Sequence, residues 1–100
     1  MRVKNLKGTT DDKKCPCGIW LDHWINYVGI KNPACVVENC GKKADVGGHV
    51  RKGGDDSTAY IVPLCYDHNN QQGAILEIID RVYENLMVPA DSRGKCRQLP

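Results

Sequence analysis

The chain contains six cysteines and three histidines within 100 residues, and several of them are paired at short spacings. Cysteine and histidine are common metal ligands, and this feature constrains the fold more than any other. Cys35 and Cys40 form a Cys-x4-Cys pair, and a Cys-x2-His pair follows at Cys65 and His68. Two ligand pairs separated by a longer segment are typical of a four-ligand zinc site. The order of a turn, a hairpin and a helix that carries the last two ligands predicts a treble-clef arrangement around one structural zinc ion.

A second group of candidate ligands lies nearer the two ends of the chain: Cys15, Cys17, His23 and Cys96. These residues predict a second zinc site, which would hold the ends of the chain together. Alternatively, His23 is a histidine on the surface of a helix without a ligand role, so the sequence is compatible with one zinc ion or two. His49 lies outside both predicted zinc sites.

The composition favours metal over a large apolar interior. The chain has no phenylalanine, and its 41% hydrophobic fraction includes the six cysteines. A structural zinc ion contributes about 10–16 kcal/mol of apparent binding free energy, which is also folding free energy. A secreted disulfide scaffold is the alternative, but the polar N-terminal segment lacks the apolar run of a signal peptide. We therefore expect a cytoplasmic protein whose thiolates bind zinc.

The length predicts a single domain. Residues 1–14 are polar and without hydrophobic periodicity, which predicts a flexible basic arm before a zinc-binding domain over 15–100. The predicted elements are a helix over 18–29, a zinc knuckle over 34–43, strands over 44–50 and 59–62, and a helix over 66–72. The predicted fold class is therefore a small zinc-stabilised α+β domain of helix, zinc knuckle, β-hairpin and helix.

The segment over 74–87 is compatible with two structures. Its apolar residues follow helical spacing: Ile75, Ile78, Ile79, Val82, Tyr83 and Leu86. A helix is the predicted state of this segment. A short strand over 75–79 is the alternative, because β-branched residues are dense there.

Positive charge is a weak guide to a partner, since the formal net charge is only +2. Four basic residues flank His49 in the sequence: Lys42, Lys43, Arg51 and Lys52. They form either a phosphate-binding patch for a nucleic acid or a solvated face without a partner. No membrane partner is expected, because no segment of the sequence is long and apolar enough to span a bilayer.

Two stretches of the chain carry a resemblance to a known family. They are Gly48-His49-Val50 and the run from Ile61-Val62-Pro63-Leu64-Cys65 to His68-Asn69-Asn70. Over residues 35–72 the chain resembles the HNH, or ββα-metal, endonuclease finger, in the variant with asparagine in the last position. The resemblance implies a ββα-metal-like fold, with His49 as the general base, Asn69 as a ligand of catalytic Mg²⁺ or Mn²⁺, and a zinc that supports the finger.

Over residues 15–96 the chain also resembles a group of small bacterial Cys/His-rich proteins. The shared motifs include Cys15-Pro16-Cys17-Gly18, Gly48-His49-Val50 and Val88-Pro89-Ala90. This second resemblance gives no information about function.

One departure from the nuclease pattern bears on function. Active members of the HNH family usually carry an acidic residue directly before the histidine, where this chain has Gly48. Asp45 lies about 13 Å from His49 along an extended strand, and Asp55 and Asp56 lie in the hairpin loop. The sequence therefore predicts a zinc-binding domain that acts as a non-catalytic nucleic-acid or protein interaction module. A metal-dependent endonuclease is the alternative.

Overall fold

An antiparallel sheet organises the chain. The computed structural model describes residues 2–6, 19–53, 58–79 and 87–89. The elements are β1 (Arg2–Asn5), α1 (Trp20–Val28), β2 (Val46–Lys52), β3 (Ala59–Leu64), α2 (Tyr66–Asn69), β4 (Ile75–Glu77) and β5 (Val88–Pro89). Within the described residues the five strands lie in the order β4-β1-β2-β3-β5, and each neighbouring pair is antiparallel.

The β2–β3 hairpin forms the centre of this sheet, and it confirms the hairpin predicted from the sequence. Its register pairs Val46 with Leu64 and Arg51 with Ala59. Gly47 lies where α1 crosses the hairpin, and a Cβ atom there would be 2.6 Å from the backbone of Trp20 and Leu21. Glycine at this position therefore permits the close approach of the helix to the sheet.

Helix α1 covers one face of the hairpin. Trp24, Ile61 and Val88 are buried together between the helix and the sheet. The helix ends at Val28, and its C-cap residue Gly29 has φ 85° and an N–H that donates a 2.7 Å hydrogen bond to the Ile25 carbonyl oxygen. The helix predicted over 18–29 is therefore confirmed over Trp20–Val28.

The larger core lies on the opposite face of the sheet. Its buried apolar residues come from β1 to β4, from the segment before β2 and from the position after β4. They include Val3, Val36, Val37, Val50, Val62, Leu64, Leu76 and Ile78. Val36 joins the sheet through its N–H, which donates to the Pro63 carbonyl oxygen at 3.0 Å. The candidate metal ligands lie at the edge of this core. No helix among the described residues is long and apolar enough to cross a membrane.

The expectation of a flexible arm over residues 1–14 is wrong for residues 2–6. These residues contain β1, which pairs with β2 on one side and with β4 on the other. Val3 and Asn5 are each 1% exposed, because alternate residues of the strand face the core, and Leu6, which follows the strand, is 5% exposed. Residues 7–14 of the expected arm lie outside the described residues.

The helix predicted over 74–87 is also corrected at its start. Ile75–Glu77 forms the strand β4, in the register Lys4↔Ile75 and Arg2↔Glu77, so the strand alternative is the one observed. The open edge of β1 offers backbone hydrogen bonds that the spacing of apolar residues does not reveal. Residues 80–86 lie outside the described part of the chain. Helix α2 is shorter than predicted, with a single turn.

Candidate metal centre

The first two candidate ligands lie in the turn between α1 and β2. The Cys35 N–H donates to the Lys42 carbonyl oxygen at 2.9 Å, and the Cys40 N–H donates to the Val37 carbonyl oxygen at 3.1 Å. Asn39 and Gly41 have φ values of 64° and 72°, which are conformations that these residue types adopt most readily. The backbone therefore folds back on itself and brings the two cysteines together.

The other two ligands come from the junction of β3 and α2. Cys65 is the N-cap residue of α2, and His68 follows within the single helical turn. The Asn69 N–H donates to the Cys65 carbonyl oxygen at 3.0 Å, which closes that turn. The Asp45 carboxylate accepts a 2.9 Å hydrogen bond from the Tyr66 N–H, so it satisfies a donor at the start of the helix.

The four predicted ligands converge, as their spacing predicted. One ligand atom from each of Cys35, Cys40, Cys65 and His68 lies within 4.8 Å of all the others. His68 Nδ1 is 3.3 Å from the Cys65 Sγ and 3.6 Å from the Cys35 Sγ, and the Sγ atoms of Cys40 and Cys65 are 3.9 Å apart. In a tetrahedral zinc site with bonds of about 2.0–2.3 Å, neighbouring ligand atoms lie about 3.5–3.8 Å apart.

The donor set fits a structural zinc ion. Cys35, Cys40 and Cys65 are free thiols, so no disulfide joins these three cysteines. Three thiolates and one imidazole form a Cys3His set, which fills a tetrahedral coordination sphere and leaves no open position for substrate. When bound, zinc would supply a cross-link between the turn before β2 and the β3–α2 junction.

The surroundings shift the pKa values of two thiols of this cluster in opposite directions. Desolvation by burial raises the pKa of the Cys35 thiol to about 12, so that thiol is protonated at neutral pH when no cation is near. At Cys40, a hydrogen bond from the backbone N–H of Lys42 lowers the thiol pKa. A coordinated divalent cation deprotonates a thiol outright, which converts the buried group from a weak donor into a ligand.

Comparison with protein-family models, with curated proteins and with solved structures gives no match to this chain. The assignment of the metal centre therefore rests on its donor set and its geometry.

The predicted second zinc site is described only at His23. This residue is fully buried, so the alternative of a histidine on the surface of the helix is wrong, and its ligand role stays a prediction. Its ring lies 5.2 Å from the Trp20 ring and 5.3 Å from the Tyr27 ring, measured between centroids, and its Nε2 atom lies 3.4 Å from the Pro89 carbonyl oxygen. Cys15, Cys17 and Cys96 lie outside the described residues, and the second site stays a prediction.

The residues matched to the nuclease pattern lie around β2. The His49 ring packs edge-on against the Trp20 ring, with 4.9 Å between centroids, on the α1 side of the sheet. Gly48 faces the opposite side, because neighbouring residues of a strand alternate. A Cβ atom on Gly48 would lie 3.0 Å from the Asn69 Oδ1 and 2.3 Å from the Leu64 Cδ1. Gly48, rather than His49, therefore faces the amide of Asn69.

Asn5 is a supporting residue that the sequence did not indicate. Its side chain is 1% exposed, and its Nδ2 donates to the carbonyl oxygens of His68 at 3.0 Å and Asn69 at 2.9 Å. These carbonyls end the helical turn that carries a metal ligand, so Asn5 holds His68 in place from a distant strand. In the sequence, Val3 and Asn5 alternate with the charged residues Arg2 and Lys4. This alternation is typical of a strand, but it does not indicate that Asn5 contacts the turn that carries His68.

The four basic residues that flank His49 in the sequence do not form one patch, because Lys42 and Lys43 lie before β2 and Arg51 and Lys52 lie at its end. Lys42 forms an ion pair with the exposed Asp67 next to the metal centre, which raises the pKa of Lys42 and lowers the pKa of Asp67. Arg51 and Lys52 lie at the far end of β2, a strand that spans about 20 Å. The Lys52 Nζ lies 4.7 Å from the centre of the Tyr60 ring, in a cation–π contact.

Proposed function

We propose that this chain is a zinc-stabilised domain of HNH-like architecture that acts as a non-catalytic interaction module for a nucleic acid or a protein. The observation that carries the non-catalytic role is the packing at Gly48. At the position where active members of the HNH family usually carry a carboxylate, Gly48 has no side chain, and the Leu64 side chain fills the adjacent space.

The architecture is supported by the order of elements around the metal centre. A turn with two cysteines precedes the β2–β3 hairpin, and α2 follows with Cys65 and His68 at its start. The HNH resemblance noted in the sequence implies this same order. A closed Cys3His site stabilises the hairpin and the helical turn and contributes no open coordination position for catalysis.

The use of Asp45 in a hydrogen bond elsewhere supports the non-catalytic role, while Asp55 and Asp56 lie outside the described residues. Mg²⁺ requires oxygen ligands in octahedral geometry, usually including carboxylates. Asp45 is the nearest acidic residue before His49, and its carboxylate accepts the hydrogen bond from the Tyr66 N–H. Among the described residues, Asn69 is therefore the only metal ligand implied by the nuclease pattern whose side chain lies next to Gly48.

Plasmid nicking in Mg²⁺ or Mn²⁺ tests this proposal. We expect no nicking by the zinc-loaded protein, and the His49→Ala variant should be indistinguishable from it. Nicking by the wild-type protein that His49→Ala abolishes would overturn the non-catalytic role and favour an HNH-type endonuclease with His49 as the general base. Equal nicking by both proteins would indicate a contaminating nuclease, so a repurified sample must then be inactive for the proposal to stand.

A further inference from the structure

The fold brings together three basic residues that lie far apart in the sequence, Arg2, Lys4 and Arg51, and places Lys52 next to them. The antiparallel register of β1 and β2 places Lys4 directly across from Arg51, and Val3 across from Lys52. Arg2 lies two residues before Lys4, so both side chains point to the same face of β1. Arg51 points to that face too, as the cross-strand partner of Lys4.

A groove runs between these residues. It has a volume of about 400 Å³ and is lined by Arg2, Val3, Lys4, Arg51, Lys52, Gly53 and the exposed Ile75. Ile75 is 62% exposed and lies across from Lys4 in the β1–β4 register. We call this feature the basic groove.

One of the three cations on this face has a partner that holds it in place: Arg2 lies 3.6 Å from the Glu77 carboxylate in an exposed ion pair. Lys52, the cross-strand partner of the buried Val3, points to the opposite face of the sheet, where its Nζ lies over the Tyr60 ring. Within the described residues no carboxylate forms an ion pair with Lys4 or Arg51. Like charges directly opposite one another on neighbouring strands are destabilising, so this arrangement gains stability from an anion bound between them.

We propose that the basic groove binds the phosphodiester backbone of a nucleic acid, which rests on the proposed role of the chain as an interaction module. Arg2 and Lys4 are about 7 Å apart along the strand, and a row of cations at that spacing suits successive phosphates of one strand. Arginine binds phosphate oxygens through two parallel hydrogen bonds. Ile75 supplies an apolar surface beside this row, against which a sugar or the face of a base can pack.

The proposal differs from the patch predicted from the sequence. That patch joined Lys42 and Lys43 to Arg51 and Lys52, whereas the structure separates the two pairs and replaces the first with Arg2 and Lys4. Lys42 and Lys43 are both exposed, so they provide a matched pair of cations for a control variant.

Fluorescence anisotropy with labelled single-stranded and duplex oligonucleotides, measured over a range of salt concentrations, tests the proposal. The double variant Lys4→Gln/Arg51→Gln should bind about tenfold or more weakly than the wild type. The slope of log K against log salt should also fall by about 1.4–1.8, because two phosphate contacts are lost. The control variant Lys42→Gln/Lys43→Gln should bind within about twofold of the wild type. The oligonucleotide form that binds more tightly shows whether the basic groove prefers single-stranded or duplex nucleic acid.

Three outcomes would overturn the proposal. The first is equal binding by the wild type and the Lys4→Gln/Arg51→Gln variant, and the second is a larger loss in the Lys42→Gln/Lys43→Gln control. The third is competition by poly-glutamate that is as strong as competition by unlabelled oligonucleotide, which would assign the groove to acidic proteins. All three leave the plasmid-nicking result unchanged, so they are distinguishable from a failure of the non-catalytic role. Equal zinc content and melting temperature in all the proteins show that the variants are folded.

Discussion

Asn5 and Gly48 border the helical turn that carries His68, although neither is a candidate ligand. The Asn5 side chain donates hydrogen bonds to the last carbonyl groups of the turn, and Gly48 has no side chain that would crowd Asn69. Both roles depend on contacts between residues more than 20 positions apart, so no local pattern in the sequence predicts them.

Asn5→Ala should destabilise the protein by about 1–3 kcal/mol, because the substitution removes a buried side-chain donor from two part-buried carbonyl groups, although that of His68 keeps the Gln71 N–H at 3.2 Å. It should also speed the transfer of zinc to a chelator, since the turn that holds His68 loses its support. Urea unfolding gives the free energy, and absorbance of a zinc-binding dye gives the transfer rate. Lys4→Ala, at the exposed neighbouring position, is the control and should have a small effect on both. Unchanged zinc transfer in Asn5→Ala would contradict the positioning role of Asn5.

Gly48→Ala should destabilise the protein by about 1–3 kcal/mol, because the added methyl group overlaps the Leu64 side chain and the core must shift. Gly53→Ala is the matched control: a Cβ atom on Gly53 meets nothing within 4 Å, and the change should cost less than about 0.5 kcal/mol. Thermal and urea unfolding of the two variants measure the difference. Equal stability of the two would mean that space for a side chain exists at Gly48, which would weaken the case against catalysis.

At the scale of elements, the turn before β2 and the β3–α2 junction are joined by the metal ligands. Cys65→Ser should lose zinc and the cooperative unfolding transition, because a ligand is removed from the site that links these two elements. His49→Ala should keep its zinc, since His49 packs against Trp20 on the other face of the sheet. Metal content per chain, measured by native mass spectrometry, and circular dichroism check both expectations. Release of zinc from His49→Ala would show that the division of ligands is wrong.

The metal centre should also be sensitive to acid. Protons compete with zinc for three thiolates and one imidazole, so the apparent zinc affinity should fall as the pH falls, with a dependence on more than one proton. A chelator competition series from pH 8 to pH 5 measures the order of this dependence. The Lys42–Asp67 ion pair lies beside the site, but it is exposed, and Asp67→Asn should leave the pH profile unchanged. A flat profile would exclude thiolate coordination.

The elements differ in how far the sequence predicts them. Helix α1 has more than two turns of amphipathic spacing and a glycine after its last residue, and the four candidate ligands have paired spacing, so the helix and the convergence of these four residues were predicted correctly. β1 and β4 have only four and three residues, too few to establish a period. They are strands because each offers the other an edge for backbone hydrogen bonds, and that edge exists only once the β2–β3 hairpin has formed.

At the scale of the whole molecule, the sheet separates two buried regions. Trp24 and Ile61 pack under α1 on one face, while the metal ligands and the larger core lie on the other. Both tryptophans of the chain belong to α1, so intrinsic fluorescence reports on the face without the candidate metal centre. This separation allows a direct test of whether the metal stabilises one face of the sheet or the entire described fold.

Removal of zinc by a strong chelator under reducing conditions should shift the tryptophan emission to longer wavelength, although no candidate ligand of the Cys3His centre lies in α1. The reason is that β2 and β3 contribute to both faces, so the loss of about 10–16 kcal/mol of metal-binding free energy should unfold both regions together. Zinc should restore the emission and the far-UV circular dichroism, and calcium should not, because calcium prefers oxygen ligands. If the far-UV spectrum and the melting temperature survive chelation, the apolar cores are sufficient for folding and the metal is not a structural requirement. If the tryptophan emission alone survives, α1 and its part of the sheet are stable independently of the metal centre.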